Sequence, residues 1–345
     1  MLIMEIKTFK GSFYETGRQQ GEIYKKNGAD FKDVTIDPTV YKKQLDVYKK
    51  YYPEFLEKLK GIADAGGFDR DKLNYAFISG GLLAYINNFD LNKACTIFGI
   101  KNENGIFVGR NYDWIPEIEK IFQVYRVVNP KRNAFIAISD MDVNYPKHKS
   151  PKYQMYDPDD AINDKGLFIG LTFAYADSYS YGITCTHMIE LIAETCATVE
   201  DAINVFKKVP LCYPKNFFIA DKNGDMAVVE HTSKRFRVVR PKNDILVKTN
   251  NYVDPELAKE DTTLIHLPQH NTFLRYDEVL QKLSATKEKF SFSDIIGVLG
   301  KKGSYVCQNH PGVRTIWSLG LDMKRQKYKI YWDLFKKRKE MELKV

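Results

Sequence analysis

The 345-residue chain has no apolar stretch near the roughly 18–20 residues a transmembrane helix requires, which excludes a helical membrane-spanning protein. Its first residues, Met-Leu-Ile-Met-Glu-Ile-Lys, lack an apolar run of signal-peptide length, so export by that route is not expected. Cysteine is scarce and odd in number, five in all. A secreted disulfide framework is denser and even, so these read as reduced thiols in a cytoplasmic protein. Neither sign of charge dominates: 52 Lys and Arg against 44 Asp and Glu leave +8, too mild over this length to argue for nucleic acid. Repeats and low-complexity tracts are also absent. What remains, 44% hydrophobic and 28% charged residues, is the composition of a soluble globular chain with room for a sizeable core.

The hydrophobic period divides the chain at residue 94. Before it, residues 16–26, 41–63 and 69–86 carry apolar residues at helical spacing, broken by Pro53 and by Gly66-Gly67. After it the pattern turns to strands, expected at 96–100, 106–110, 167–173, 217–221, 226–230, 236–239, 245–248, 315–319 and 328–332. Helical patterns at 187–208, in two pieces with Thr198 capping the second, and at 272–300 interrupt them. Strand pairs, then helices, then more strands predict an α+β layered sandwich rather than a parallel βαβ series. The basic run Lys336-Lys337-Arg338-Lys339 reads as a solvated tail.

The hairpin at Asn104-Gly105 brings chemistry together. With those two as the central turn residues, Cys95 lies opposite Trp114, with Asp113 beside it. Arg110 then shares the face of Cys95 but stands four residues along the strand, roughly 13 Å, beyond an arginine's span without a bulge.

Cys95-Thr96, followed by Gly109-Arg110-Asn111-Tyr112-Asp113-Trp114, resembles the opening of the choloylglycine hydrolase and penicillin acylase group of N-terminal-nucleophile hydrolases. In that group a cysteine becomes the first residue of the mature chain. The helical stretch before it, with Gly17-Arg18-Gln19-Gln20-Gly21-Glu22, is similar to the acyl-CoA:6-aminopenicillanate acyltransferase branch. Further segments agree in order: Asn163-Asp164-Lys165-Gly166-Leu167 leading to Thr172, 216–221 with 228–230, Lys248-Thr249-Asn250-Asn251-Tyr252, Arg275, and Cys307-Gln308-Asn309-His310 with Arg314-Thr315-Ile316. Thr172 stands where bile-salt hydrolases have asparagine. That spares a backbone N–H contribution but alters the pocket.

The resemblance implies a four-layered αββα sandwich. Residues 1–94 would be a helical propeptide or small subunit, cut off by self-cleavage between Ala94 and Cys95 and remaining associated; residues 95–345 would be the catalytic domain. A thiolate is the nucleophile such a site needs, and an ordinary cysteine, with pKa about 8.5, is only partly ionised at neutral pH. The α-amino group freed by cleavage, near pKa ~8, would take the thiol proton. Asp113 would orient that amine and Arg110 would favour the thiolate. The Asn250 side-chain amide and the Thr172 backbone N–H would stabilise the oxyanion, with Arg275 in support. The implied activity is amide hydrolysis or acyl transfer on a small-molecule N-acyl amide or acyl-CoA through an acyl-Cys95 thioester. A dedicated acyl-CoA-dependent N-acyltransferase and an unprocessed, silent ligand-binding member are the alternatives.

Plainer roles stand beside these. As the lesser alternatives, Asn250 reads as a plain turn residue, Arg275 as a surface charge, and Arg110 with Asp113 as a structural pair; loss of the Asn250 side chain is expected to disturb folding little. The aromatic run Phe173-Ala-Tyr-Ala-Asp-Ser-Tyr-Ser-Tyr181 reads as an acyl pocket or as core. Cys307 and His310 lack the second ligand pair of a structural zinc site, and His187, His231 and His266 read as structural. Neither cofactor nor metal is expected, and homo-oligomer formation is left open.

Overall fold

Local signals set most element boundaries. The computed structural model describes residues 5–87, 93–140, 156–266 and 271–345. Strand β1 (Lys7–Lys10) leads to helix α1 (Phe13–Lys26), started by a Ser12–Glu15 capping box. Prolines at the first helical positions open α2 (Pro38–Tyr51) and α3 (Pro53–Gly66), so Pro53 starts a new helix. Asp69 caps α4 (Arg70–Ile86). The strands β2 (Ala94–Asn102), β3 (Gly105–Trp114), β4 (Gln123–Val128), β5 (Phe135–Ser139), β6 (Asp160–Asn163) and β7 (Leu167–Phe173) follow. Helices α5 (Cys185–Thr195) and α6 (Val199–Lys208) come next, the second capped by Thr198 with Asp201, as the sequence predicts. Then come β8 (Lys215–Asp221), β9 (Met226–His231), β10 (Phe236–Val239) and β11 (Ile245–Lys248). Helices α7 (Pro255–Ala258), α8 (Thr263–His266), α9 (Thr272–Thr286) and α10 (Ile295–Leu299) precede β12 (Asn309–His310), β13 (Val313–Asp322), β14 (Lys327–Trp332) and β15 (Lys339–Leu343).

The strands form two sheets, one ordered β1-β4-β5-β6-β7-β8-β9-β10 and the other β11-β2-β3-β13-β14-β15, with β12 pairing β13. Alternating side chains divide the core into layers. Tyr125, Val127, Leu167, Ile169, Phe217 and Val229 of the first sheet pack under α1 to α6. Val124, Ile136, Phe168 and Val228 meet Ile97, Val108, Trp317 and Leu319 of the second sheet between the sheets. Phe98, Phe107 and Val247 pack against Val279 and Leu283 of α9 and Ile295 and Leu299 of α10. The four-layered αββα sandwich is thus the observed architecture.

Three local expectations need correction. The N-terminal segment is not purely helical: β1 pairs in parallel with β4, so this segment supplies an edge strand to the first sheet. The basic run at 336–339 does not end in a solvated tail, because β15 starts at Lys339 and pairs with β14. The hairpin register is also shifted by two residues. Asn102 pairs with Gly105 and Cys95 with Tyr112, and the turn closes over Glu103 and Asn104. The Asn102 side chain accepts from the Asn104 N–H at 3.0 Å, an Asx turn that outcompetes the Asn-Gly turn.

The Gly17 and Gly21 pair has a packing cause. A Cβ at either would overlap the carbonyl oxygens of Lys58 or Ile62 on α3, so the two helix backbones touch there.

Candidate active site

The two-residue register shift matters for chemistry. Arg110 pairs with Ile97, two residues from the position opposite Cys95, or roughly 7 Å along the strand, which a guanidinium spans. Cys95 and Arg110 project between the sheets, both fully buried. Arg110 Nε donates to Asp160 of β6 at 2.7 Å, and Trp317 Nε1 donates to the other carboxylate oxygen at 3.0 Å. Arg110 therefore pairs with Asp160, not with Asp113. Burial works against its charge, but Asp160, with Cys95 and Asp159 adding to it, raises its pKa.

The backbone of Cys95 is held on both sides. Its N–H donates to Asn250 Oδ1 at 2.9 Å, and Arg275 Nη1 donates to its carbonyl oxygen. Arg275 also donates to Thr96 Oγ1 at 3.0 Å and to Asn250 Oδ1 at 2.8 Å. It lies on α9, fully buried, so it is not a surface charge. Asn250 follows β11, is fully buried, and its amide nitrogen donates to the Phe173 carbonyl at 3.0 Å. An amide with three buried partners is not a plain turn residue.

Asp113 pairs with Ala94, on the opposite sheet face from the thiol. Its carboxylate accepts from Thr315 Oγ1 at 2.6 Å and Gln308 Nε2 at 3.0 Å. Burial raises its pKa, opposed chiefly by the Arg275 charge. Thr172 joins at one remove: its hydroxyl donates to the Thr249 carbonyl at 2.7 Å and accepts from Asn216 at 3.2 Å. In the continuous chain, burial pushes the Cys95 thiol up to about 11, with the Arg110 charge pulling the other way.

The sequence model of the acyl-coenzyme A:6-aminopenicillanic acid acyl-transferase family matches residues 100–337. The chain belongs to this family. No curated protein sequence gives a significant match. Similar solved structures include a mutant of the conjugated bile acid hydrolase from Clostridium perfringens, with 14% identity and a TM-score of 0.51 over 72% of this chain and 92% of that one. Penicillin V acylase from Agrobacterium tumefaciens is similar at 18% identity and a TM-score of 0.52, over 72% and 86%. These likenesses show the fold of N-terminal-nucleophile hydrolases. The acyl-transferase family match begins five residues after Cys95 (100 − 95), so it includes neither that cysteine nor the segment before it.

Within this acyl-transferase fold, the structure brings Cys95, Arg110, Asn250 and Arg275 together, with Asp113 on the opposite sheet face held by Thr315 and Gln308. Sequence reasoning missed Asp160, and it quoted Thr96, Gln308 and Thr315 only as motif neighbours, without a role in the site. Gln308 and Thr315 lie inside the segment singled out around Cys307 and His310, but the groups touching the site are their neighbours. Cys307 is buried beside Tyr331 and Leu334, and His310 Nε2 lies 2.8 Å from Gln308 Oε1. The aromatic run divides: Phe173 and Tyr175 are buried in the core under the helices, whereas Tyr179 is 60% exposed. His187 contacts the Tyr48 hydroxyl at 2.5 Å, His231 is buried, and the His266 side chain lies outside the described residues. Among the described residues no cluster of metal-ligating side chains occurs, and no helix is long and apolar enough to cross a membrane.

Proposed function

We propose that this chain cuts itself between Ala94 and Cys95 and then acts as a cysteine amidohydrolase or acyltransferase on a linear N-acyl amide, through an acyl-Cys95 thioester. The supporting observation is the grip on the Cys95 backbone: Asn250 on its N–H, Arg275 on its C=O, and Arg110 on the same sheet face as its thiol.

In the first reaction Cys95 Sγ attacks the Ala94 carbonyl carbon. The C–N bond breaks as the C–S bond forms, and the thiol proton passes to the departing nitrogen. Water then hydrolyses the thioester, leaving the Ala94 carboxylate, the free thiol and the Cys95 α-amino group. Burial holds the thiol up at about 11, which disfavours the thiolate at neutral pH, and the step occurs once per chain because each chain has one such bond. The freed amine, with a reference pKa of about 7.7–8.0, then serves as the base for repeated turnover. Asn250 is the oxyanion donor, Arg275 and Asp113 position the terminus, and Arg110 favours the thiolate.

The two fragments stay associated through buried polar contacts. Lys58 Nζ donates to Glu190 at 2.6 Å, Tyr52 Oη to Glu194 at 2.7 Å, and Gly182 N–H to Gln44 Oε1 at 3.0 Å. Intact mass tests the proposal. Wild type should give fragments of residues 1–94 and 95–345, and Cys95→Ala should remain whole; cleavage at this bond in the alanine variant would defeat it. A panel of N-acyl amino acids, penicillin V, bile-salt conjugates and acyl-CoA thioesters then separates hydrolysis from acyl transfer.

A further inference from the structure

The Ala94–Cys95 peptide is an internal substrate, so the residues before it mark where an acyl group sits. In the thioester proposed above, Lys93-Ala94 is the acyl donor, and Lys93 is only 2% exposed. Its ammonium lies 4.1 Å from the Trp114 ring centroid, 5.1 Å from Phe173 and 5.9 Å from Tyr112. Asp140 Oδ2 is 3.2 Å away. Three aromatic rings and a carboxylate around one ammonium form the kind of cage that recognises cations. Rings of both sheets contribute, with Tyr112 and Trp114 on β3 and Phe173 on β7.

Two further observations argue that the chamber is built for charge. Asp140 and its neighbour Asp159 are buried, at 1% and 0% exposure, and among the described residues their carboxyl groups face the Lys93 ammonium and each other, with no further hydrogen bond to satisfy them. Burial and then the Asp140 charge hold the Asp159 carboxyl well above the usual carboxylate range, with Lys93 opposing them. A purely apolar acyl group would leave the Asp140 carboxylate and the Asp159 carboxyl facing hydrocarbon without the ammonium, which is costly. A purely structural role also explains the lysine poorly, since an alkyl side chain would fill the space without the desolvation cost of a buried ion pair. A second buried ammonium, Lys215, lies 3.6 Å from the centroid of the same Phe173 ring.

We propose that the chamber filled by the Lys93 side chain becomes the acyl subsite once residues before Cys95 withdraw. It selects acyl groups bearing an ammonium about as far from the reacting carbonyl as Lys93 Nζ is from that of Ala94. This rests on the self-cleavage reading above. The reaction is the same one: the acyl carbonyl carbon bonds to Cys95 Sγ, the amine leaves with a proton, and water releases the cationic acid.

The test compares acetyl-Lys-Ala and acetyl-norleucyl-Ala p-nitroanilides on the cleaved enzyme. The lysyl substrate should have a kcat/KM at least about tenfold higher, as loss of a caged cation implies. Asp140→Asn should bring the ratio towards one and Asp140→Glu should keep a cation preference. Each ratio is read on one preparation, so a loss of folded protein cancels. Equal rates on the two substrates in the wild type overturn the inference, as does an undiminished preference in Asp140→Asn. Turnover of neutral N-acyl amides without a lysyl preference sinks this inference alone. A chain that neither cuts itself nor turns over any N-acyl amide sinks the functional reading and this inference with it.

Discussion

Replacing Asn250 by alanine separates catalytic from structural roles. Its side chain makes three buried hydrogen bonds: Oδ1 accepts from the Cys95 N–H at 2.9 Å and from the Arg275 guanidinium at 2.8 Å, and Nδ2 donates to the Phe173 carbonyl at 3.0 Å. Two neutral bonds at about 1 kcal/mol each and one charged bond at about 1.5–3 kcal/mol put the loss on the order of 4 kcal/mol. Chemical denaturation in a Cys95→Ala background reads this term without interference from cleavage. With Cys95 present, the time course of intact mass reads the second term. Losing an oxyanion donor should slow self-cleavage by about 10²–10³. Asn250→Asp keeps an acceptor for Cys95 and Arg275 but loses the amide donor, so it should slow cleavage with a smaller stability loss. Cleavage of Asn250→Ala within a few-fold of wild type would refute the oxyanion role, and unfolding free energy within about 0.5 kcal/mol would refute the structural one.

Arg110→Gln should leave Asp160 buried with Trp317 as its remaining donor, costing about 3–5 kcal/mol in urea denaturation, and should slow self-cleavage by removing the cation that opposes the raised thiol pKa. An unchanged denaturation midpoint and cleavage rate would count against it. Burial raises the Asp157 carboxyl to about 7, so the folded state holds this proton more tightly than the unfolded chain. The stabilisation is therefore present at low pH and is lost as pH rises through 7, by roughly 3 kcal/mol between about pH 5 and pH 8. Asp157→Asn should remove that loss and be the more stable protein at the higher pH, and a parallel pH dependence for the two would contradict the assignment.

The fold was legible where local chemistry decides it. Thr198 as a cap and Pro53 as a helix start were read directly, whereas the starts at Phe13 and Pro38, set by the Ser12 capping box and by Asp37 with Pro38, lie three residues before those read from apolar spacing. Strands β7, β10 and β11 follow from their β-branched and aromatic runs. The hairpin register was less legible, because the Asn102 side chain competes with Asn-Gly for the turn, and that choice is made by one hydrogen bond. Strand β1 is a short edge whose partner, β4, lies far off in sequence, and β15 is a short edge in which lysine and glutamate alternate with few apolar residues, so no local pattern announces either. The candidate site was legible in its central residues, since Cys95, Asn250 and Arg275 belong to recognisable segments. Asp160 was not: an aspartate at the start of a short strand carries no sign that it faces Arg110 across the sheets. Gln308 and Thr315 were hidden differently, because cysteine and histidine drew attention to the positions beside them.

The most direct measurement is the mass of the fragment beginning at Cys95 after brief exposure to an activated N-acyl substrate and acid quenching. An acyl increment that maps to Cys95, disappears on hydroxylamine treatment and forms at the rate of turnover is the predicted result. Turnover without any increment on that fragment, or an increment on another residue, would contradict the acyl-Cys95 thioester.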